Sequence, residues 1–183
     1  MLKQQYVEVR SSKSTGSTAR IPVLEGRLLQ EILAVEPSRD GELVYRPCCV
    51  EVESGQLIDR VYFAEAFSWH KHWGVWPLDD PCKSLFSISR VKRIFSSPSR
   101  LPALLANKLY RGGETSMGGT SFALILRDGR RIPVLTGNAV DFPEYPPEVK
   151  PSDIVDVIHG YNEISASRIG TANYCWCLYT TRS

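Results

Sequence analysis

The stretch of this chain with the greatest chemical potential is WHKHWGVW at residues 69–76, which holds two of the three histidines and three of the four tryptophans. On a strand, His70 and His72 would point to the same side, as two ligands of one metal ion must. Their spacing to the residues that follow matches no closed zinc motif, so we expect neither a metal nor another cofactor. The further ligands that the neighbouring sequence offers are Asp79, Asp80 and Cys82.

Two other interpretations of residues 69–76 are open. The three tryptophans carry large apolar rings, which are typical of the edge of a hydrophobic core. Aromatic side chains are also enriched where proteins bind partners, so the same stretch is a candidate surface for a ligand or a protein. The candidate binding residues are Trp69, His70, His72, Trp73 and Trp76.

A thiol and two imidazoles in this part of the chain also suggest an enzyme. Cys82 lies close in sequence to His70 and His72, and a cysteine beside a histidine is an arrangement used for nucleophilic catalysis. His159 is the one other histidine available to such a site. Activation requires an electropositive, partly open environment, of which the sequence gives no sign. An enzyme with a His/Asp/Cys site at residues 70–82, with or without a metal, is therefore an alternative and not the main hypothesis.

Charge is distributed unevenly along the chain, although the formal net charge is only +2. Residues 82–131 hold ten Lys and Arg against two Asp and Glu, while the segments on both sides are acidic. Such a basic block is typical of a surface for anions or nucleic acid. We expect the acidic flanks to neutralise it, so nucleic acid is an alternative partner that we do not favour. The candidate anion-binding residues are Arg90, Lys92, Arg93, Arg130 and Arg131.

The five cysteines point to reduced thiols. Cys175 and Cys177 lie in NYCWCLYTT, whose alternation and aromatic residues predict a strand with both sulfurs on one face. No second pair completes a zinc site, and free cysteine is commonly buried, so we expect both in a core. We expect a cytoplasmic protein, because the cysteine count is odd and MLKQQYVEVR has no apolar signal core. We expect no membrane partner, because no segment reaches about 20 consecutive apolar residues.

Three segments have the alternation and the turn residues of β-hairpins. They are 6–24, 49–63 with a Ser-Gly turn, and 121–135 with the Asp-Gly turn that is the strongest short hairpin signal. The first and the last share the phrase RIPVL, at 20–24 and 131–135, which suggests a duplicated β-unit as a hypothesis. The proline in that phrase lacks an N–H group and therefore predicts an edge strand.

One helix is predicted at about residues 100–111, with Ser99 as its N-cap and Gly112 just past its end. Residues 26–36 and 152–160 fit either a helix or a strand. We therefore predict a β-rich α+β fold: a mostly antiparallel sheet or small barrel built from hairpins, with this helix packed on it. The leucines that recur at helical spacing are Leu101, Leu104, Leu105 and Leu109.

The four prolines of DFPEYPPEVKP (141–151) predict an extended connection within one domain. We expect a main body at 1–142, the Pro-rich connection at 143–151, and a C-terminal segment at 152–183 that docks back on the body. The main functional hypothesis is a non-catalytic cytoplasmic binding or interaction protein whose partner surface is residues 69–76. The sequence leaves open whether the partner is a small ligand, another protein or a second copy of the chain.

Overall fold

The computed structural model describes residues 5–10, 18–76, 79–80, 83–161 and 168–181. Within these residues the chain forms three α-helices and ten strands, mostly paired antiparallel, and none of their sheets closes into a barrel. The predicted β-rich α+β fold is confirmed, in its open-sheet form. The strands are β1 (Tyr6–Arg10), β2 (Thr18–Pro22), β3 (Ser38–Asp40), β4 (Leu43–Val52), β5 (Leu57–Glu65), β6 (Val91–Ser96), β7 (Thr120–Leu126), β8 (Arg131–Thr136), β9 (Ile154–His159) and β10 (Cys175–Tyr179). The helices are α1 (Gly26–Ala34), α2 (Ala66–Trp73) and α3 (Ala103–Gly112).

The chain folds as two compact units. Unit 1 takes its described residues from 1–37, 42–97 and 174–183, and unit 2 takes its own from 38–41 and 98–173. The Pro-rich stretch 143–151 belongs to unit 2, and β10 belongs to unit 1. The expected single-domain organisation stays a prediction.

In unit 1, strand β5 lies between β4, which is antiparallel to it, and β10, which is parallel to it. Strand β6 pairs with the other edge of β4. The β4–β5 hairpin confirms the one predicted at 49–63, and the β1–β2 pair confirms the one predicted at 6–24. One face of the sheet forms a core with α1, in which Ile32, Val50 and Phe63 are fully buried.

Helix α1 covers the outer edge of β6 with its polar side chains. Arg27 donates to the carbonyl oxygen of Lys92 at 2.7 Å, and Glu31 accepts from the N–H of Ile94 at 2.8 Å. These bonds occupy backbone groups that an edge strand otherwise leaves open to another chain. From sequence, residues 26–36 fit either a helix or a strand. They are helical up to Ala34, because the apolar side of the helix packs on the core.

Strand β10 confirms the structure predicted for the C-x-C segment. Cys175 lies opposite Val61 of β5 and Cys177 opposite Phe63, so both thiols face the core that α1 covers. Cys177 is fully buried and Cys175 partly so. Burial raises the pKa of both thiols, which keeps them protonated and unreactive.

In unit 2, strand β7 lies between β8 and β9 and is antiparallel to both. The β7–β8 hairpin is the one predicted at 121–135, and Gly129 of its Asp-Gly turn takes a φ of 86° that favours glycine. Residues 152–160, which fit either a helix or a strand from sequence, form the end of a short helical turn followed by β9. The strand is the conformation that their β-branched side chains favour.

Helix α3 confirms the predicted helix, but the predicted start at about residue 100 is wrong. The helix begins at Ala103, and Pro102 occupies the N-cap position in place of Ser99. The residues before it are held elsewhere, since the N–H of Leu101 donates to the carbonyl oxygen of Asp141 at 2.8 Å. Pro102 also disfavours a helical conformation at Leu101, which is consistent with the later start.

The leucine stripe of α3 is also narrower than predicted. Leu101, Leu105 and Leu109 are buried, whereas Leu104 is 73% exposed. Adjacent helical residues differ by about 100° around the axis, so Leu104 and Leu105 cannot share the centre of one face. Leu101 precedes the helix, so the predicted stripe is confirmed within α3 at Leu105 and Leu109.

A buried ion pair joins the start of α3 to the loop after β8. Arg100 donates through Nε to the Oδ1 atom of Asp141 at 3.1 Å and through Nη2 to Ser38 at 2.9 Å. Ser38 donates to the same carboxylate, and the hydroxyl of Tyr110 donates to its Oδ2 atom at 2.8 Å. The fully buried Asp141 is thus compensated on both oxygens, as a buried charge requires.

The two copies of the RIPVL phrase pair in the same way. In 20–24 the proline carbonyl accepts from the N–H of Thr180 at 2.9 Å, and the leucine N–H donates to the carbonyl of Thr180 at 2.8 Å. In 131–135 the carbonyl of Pro133 accepts from the N–H of Ile169, and the N–H of Leu135 donates to the carbonyl of Ile169, both at 3.0 Å. Neither pairing uses the proline nitrogen, which explains why proline is tolerated there. Duplication stays a hypothesis, because the elements that follow the two phrases differ.

Candidate functional site

Residues 66–73 form helix α2, so His70 and His72 do not have the strand geometry that would point both to one side. The Glu65 carboxylate accepts from the N–H of Ser68 at 2.7 Å and caps the start of the helix. Gly74 ends the helix in the left-handed conformation, with φ 68°. Residues two positions apart are separated by about 200° of rotation around the helix axis, so His70 and His72 point to nearly opposite sides of α2. This arrangement is unsuited to binding one metal ion.

The two imidazoles of α2 instead contact different tryptophans. The ring of His70 stacks on that of Trp76, with 4.2 Å between centroids. His72 contacts the Trp73 ring edge-on at 4.8 Å. Phe67, which is 44% exposed, packs edge-on against the buried Trp76 at 5.7 Å. The exposed aromatic side chains of α2 are therefore Phe67, which contacts Trp76, and His72, which contacts Trp73.

Trp69 connects α2 to the sheet face opposite the α1 core. Its ring lies 4.5 Å from that of Trp176 on β10 and 6.2 Å from that of Trp73. Trp176 in turn stacks on Tyr62 at 4.7 Å and contacts Tyr45 at 5.1 Å. We call this group the aromatic cluster, and its members are Tyr45, Tyr62, Trp69, Trp73, Tyr174 and Trp176.

Three tryptophans of the aromatic cluster have buried N–H groups without an acceptor. The Nε1 atoms of Trp69, Trp73 and Trp176 are inaccessible and make no hydrogen bond in the described part of the chain. An indole N–H can only donate, and leaving such a group unpaired in an interior costs about 1–3 kcal/mol. Trp69 and Trp176 meet edge to face, at 71°, which permits a weak N–H to ring contact but not a full hydrogen bond.

Lys83 lies at the aromatic cluster and has no carboxylate partner among the described residues. The Nζ atom of Lys83 is 6.0 Å from the centroid of the Trp69 ring, and no ion pair of Lys83 occurs among the described residues. Of the carboxylates on and before α2, Glu42 binds Lys71 at 2.6 Å and Glu65 caps the helix. Asp79 and Asp80 follow α2 and have contacts of their own.

The proposed thiol–imidazole site is not assembled by the described residues. Cys82 lies outside them, and His159 belongs to unit 2, where its Nε2 atom is 2.8 Å from the carbonyl oxygen of Gly113. Within the described ranges no group of three or more His, Cys, Asp or Glu side chains is placed to hold a metal ion. The enzyme alternative stays a prediction.

The basic segment divides between the two units, and five of its ten cations form ion pairs among the described residues. In unit 1, Lys92 binds Glu51 at 2.7 Å and Arg93 lies 3.6 Å from Glu31. Arg90 lies over the ring of Phe86 at 4.8 Å. The hydrogen bond from Lys92 lowers the pKa of the Glu51 carboxyl, as a formed ion pair does. The acidic partners come from the N-terminal flank, as the sequence predicted.

In unit 2 the same compensation occurs. Arg130 binds Asp128 at 2.7 Å and lies 3.7 Å from Glu148, while Arg131 is exposed. An open hollow of about 350 Å³ adjoins the β7–β8 turn, and both signs of charge line it. Its lining residues are Leu126, Arg127, Asp128, Arg130 and Asp153. A lining of this kind has no clear preference for an anion.

Two parts of this arrangement were missed from the sequence. Trp176 contacts Trp69 although more than a hundred residues separate them, and its segment was assigned to the core through its cysteines alone. The aromatic residues of NYCWC are the signal that could have placed it beside residues 69–76. The buried Asp141 has no local signal, because its partners come from three separate segments.

Comparison with protein-family models, curated proteins and solved structures finds no match to this chain. Of the helices in the described ranges, none combines the length and the apolar character that crossing a bilayer requires.

Proposed function

We propose that this chain is a non-catalytic binding protein, and that α2 and the aromatic cluster receive its ligand or partner. The observation that carries the proposal is the set of three buried indole N–H groups, at Trp69, Trp73 and Trp176, that find no acceptor in the part of the chain the structure describes. The large majority of buried side-chain polar atoms in proteins have a partner. Six in the described residues have none, and three of these six are the indole N–H groups of Trp69 and of the two tryptophans whose rings contact it. A ligand that supplies acceptors removes this cost on binding.

The surroundings of the three N–H groups support this function. The rings of the aromatic cluster offer flat apolar walls, and Phe67 and His72 on the outer side of α2 are accessible to a partner. Clefts that bind ligands commonly combine apolar walls with a few donors that fix the orientation. The alternative is a purely structural cluster in which N–H to ring contacts take the place of hydrogen bonds.

The proposal includes a cytoplasmic location. The support is chemical: Cys48, Cys49, Cys175 and Cys177 are all free thiols. Cysteines in unit 1 that stay unpaired suit a reducing compartment.

The test uses the tryptophan N–H groups as reporters. The full chain, labelled with ¹⁵N-tryptophan, has four indole signals, which single Trp→Phe variants assign. A library of small aromatic fragments is then added, and the shifts of the signals are followed. We expect hits that move the signals of Trp69, Trp73 and Trp176, and that lose affinity in Trp73→Phe.

The matched control is Arg131→Ala in unit 2, which removes an exposed cation and leaves the aromatic cluster intact. Binding unchanged in this variant shows that the loss of affinity in Trp73→Phe is specific to the aromatic cluster. A library that moves none of the three signals contradicts the proposed function, and so do hits that bind Trp73→Phe as tightly as the unchanged chain, judged by the signals of Trp69 and Trp176.

A further inference from the structure

We infer that the thioether of Met117 is a site of reversible oxidation by hydroperoxides, and that it reacts before the described thiols of the chain. The inference is independent of the proposed function. It concerns the turn that precedes β7, at residues 114–119, on which Met117 is 102% exposed. Four of the five cysteines, by contrast, are free thiols that the fold covers wholly or in part.

The turn presents the Met117 side chain to solvent in full. An exposed fraction of 102% means that no other described residue covers the thioether. The next most exposed large apolar side chain in the described ranges is Leu104, at 73%. A small oxidant therefore reaches the sulfur of Met117 without any opening of the fold.

The conformation of the turn does not depend on the Met117 side chain. The N–H of Ser116 donates to the carbonyl oxygen of Gly119 at 3.1 Å, and the N–H of Gly119 donates to the carbonyl oxygen of Ser116 at 3.0 Å. The Glu114 carboxylate accepts from the N–H of Gly118 at 3.1 Å. Methionine sulfoxide disrupts structure where it introduces a polar group into a packed core. Because Met117 packs against nothing, an oxygen added to its sulfur leaves the turn and the fold intact.

The described cysteines compete poorly for the same oxidant. Cys48 and Cys177 are fully buried, and Cys49 is 6% exposed. Peroxides oxidise the thiolate form of cysteine, and burial raises the pKa of the thiols of Cys49, Cys175 and Cys177. These thiols therefore carry little thiolate at neutral pH. A thioether has no proton to lose, so its reactivity does not require deprotonation.

The reaction transfers one oxygen atom to Met117. A lone pair of the sulfur attacks the terminal oxygen of a hydroperoxide, ROOH, and the O–O bond breaks as the S–O bond forms. The hydroxyl proton passes to the leaving alkoxide, so the products are the sulfoxide and ROH. The sulfur loses two electrons and the hydroperoxide gains them. Methionine sulfoxide reductases reverse the step, and two thiols supply the electrons and become a disulfide while the oxygen leaves as water.

The test treats the full chain with hydrogen peroxide, folded and in urea, and follows each sulfur by peptide mass spectrometry. We expect the rate at Met117 to agree within about twofold between the two states, because the fold does not cover it. We expect the same rate at about pH 5 and about pH 7. The described cysteines should react at least about tenfold faster in urea than in the folded chain. Met1 and Cys82 lie outside the described residues and are followed as separate peptides.

Met117→Leu is the matched control, because it keeps an exposed apolar side chain and removes the sulfur. This variant and the oxidised chain should both keep the urea midpoint of the unchanged chain, and incubation with methionine sulfoxide reductases should restore the original mass of the Met117 peptide. Slower oxidation of Met117 in the folded chain than in urea would overturn the inference. A described cysteine that reacts before Met117 in the folded chain would also overturn it, and so would a sulfoxide that the reductases leave in place.

Discussion

The Nε atom of Arg100 lies 3.1 Å from the Oδ1 atom of Asp141, and both side chains are buried in unit 2. Removing one partner leaves the other charge uncompensated in an apolar interior, which costs about 3–5 kcal/mol. We therefore expect Asp141→Asn and Arg100→Met each to lower the urea midpoint sharply. The double variant should cost less than the sum, since no charge is left without its partner.

The exposed pair of Lys71 and Glu42 is the matched control for this experiment, because its 2.6 Å contact is shorter but open to solvent. Lys71→Met should leave the urea midpoint unchanged within error. If Arg100→Met and Asp141→Asn also leave the urea midpoint unchanged, the buried pair contributes nothing to stability.

Adjacent leucines of α3 provide a second test with its own control. Leu105 is buried and Leu104 is 73% exposed, although they are neighbours with the same side chain. Leu105→Ala should cost about 2–5 kcal/mol in the free energy of unfolding, because it leaves a cavity. Leu104→Ala should stay within about 0.5 kcal/mol of the unchanged chain. Equal costs in a denaturant titration would mean that the face assigned to α3 is wrong.

Gly112 is required at the end of α3 by the ring of His159. A Cβ atom added at Gly112 would lie 2.5 Å from Cδ2 of His159, and that ring also contacts the carbonyl of Gly113 at 2.8 Å. Gly112→Ala should therefore destabilise the chain by about 1–3 kcal/mol in thermal or urea unfolding. The loss should largely disappear in a His159→Ala background.

Gly170→Ala is the control for Gly112→Ala, since a Cβ atom there meets nothing within 4 Å. We expect it to be neutral or slightly stabilising, because alanine restricts the unfolded chain. A cost of Gly112→Ala that persists without the His159 ring would refute the steric explanation.

The paired basic segment predicts weak binding to nucleic acid. Lys92 and Arg130, which lie in different units, both have carboxylates at 2.7 Å, so an ion pair competes with a phosphate at each of these two cations. Anisotropy of labelled single- and double-stranded oligonucleotides should give a dissociation constant no tighter than about 10⁻⁴ M at physiological salt. A micromolar complex with a steep salt dependence, weakened by Arg130→Ala with Arg131→Ala, would establish the basic segment as a nucleic-acid surface.

Local signals predicted most of the secondary structure of this chain. The Asp-Gly turn at Asp128 and the Ser-Gly turn at Ser54 placed two hairpins, because the conformation of such turns depends on the turn residues themselves. The exposure of Leu104 and the late start of α3 were not predictable in this way, because both depend on the elements that pack against the helix.

The candidate site was half predictable. Residues 69–76 were singled out by composition, but their helical conformation depends on the Glu65 cap and the Gly74 stop, which the aromatic residues obscured. Trp176 and Asp141 act through contacts that join distant segments. No local pattern encodes such a contact, since it follows from strand order in the sheet.

The central claim is that indole N–H groups of the aromatic cluster lack acceptors until a ligand supplies them. Its most direct test replaces Trp69 or Trp176 with benzothienylalanine, which keeps the ring shape and has sulfur in place of the N–H group. The control position is Trp76, whose N–H is not among the buried unpartnered groups.

The measurement is the free energy of unfolding of each ligand-free chain. We predict that the replacement at 69 or 176 stabilises the chain by about 1 kcal/mol, because it removes an unpaired donor, and that the replacement at 76 does not. A loss of stability at 69 and 176 would mean that these N–H groups already have partners, and would contradict the account.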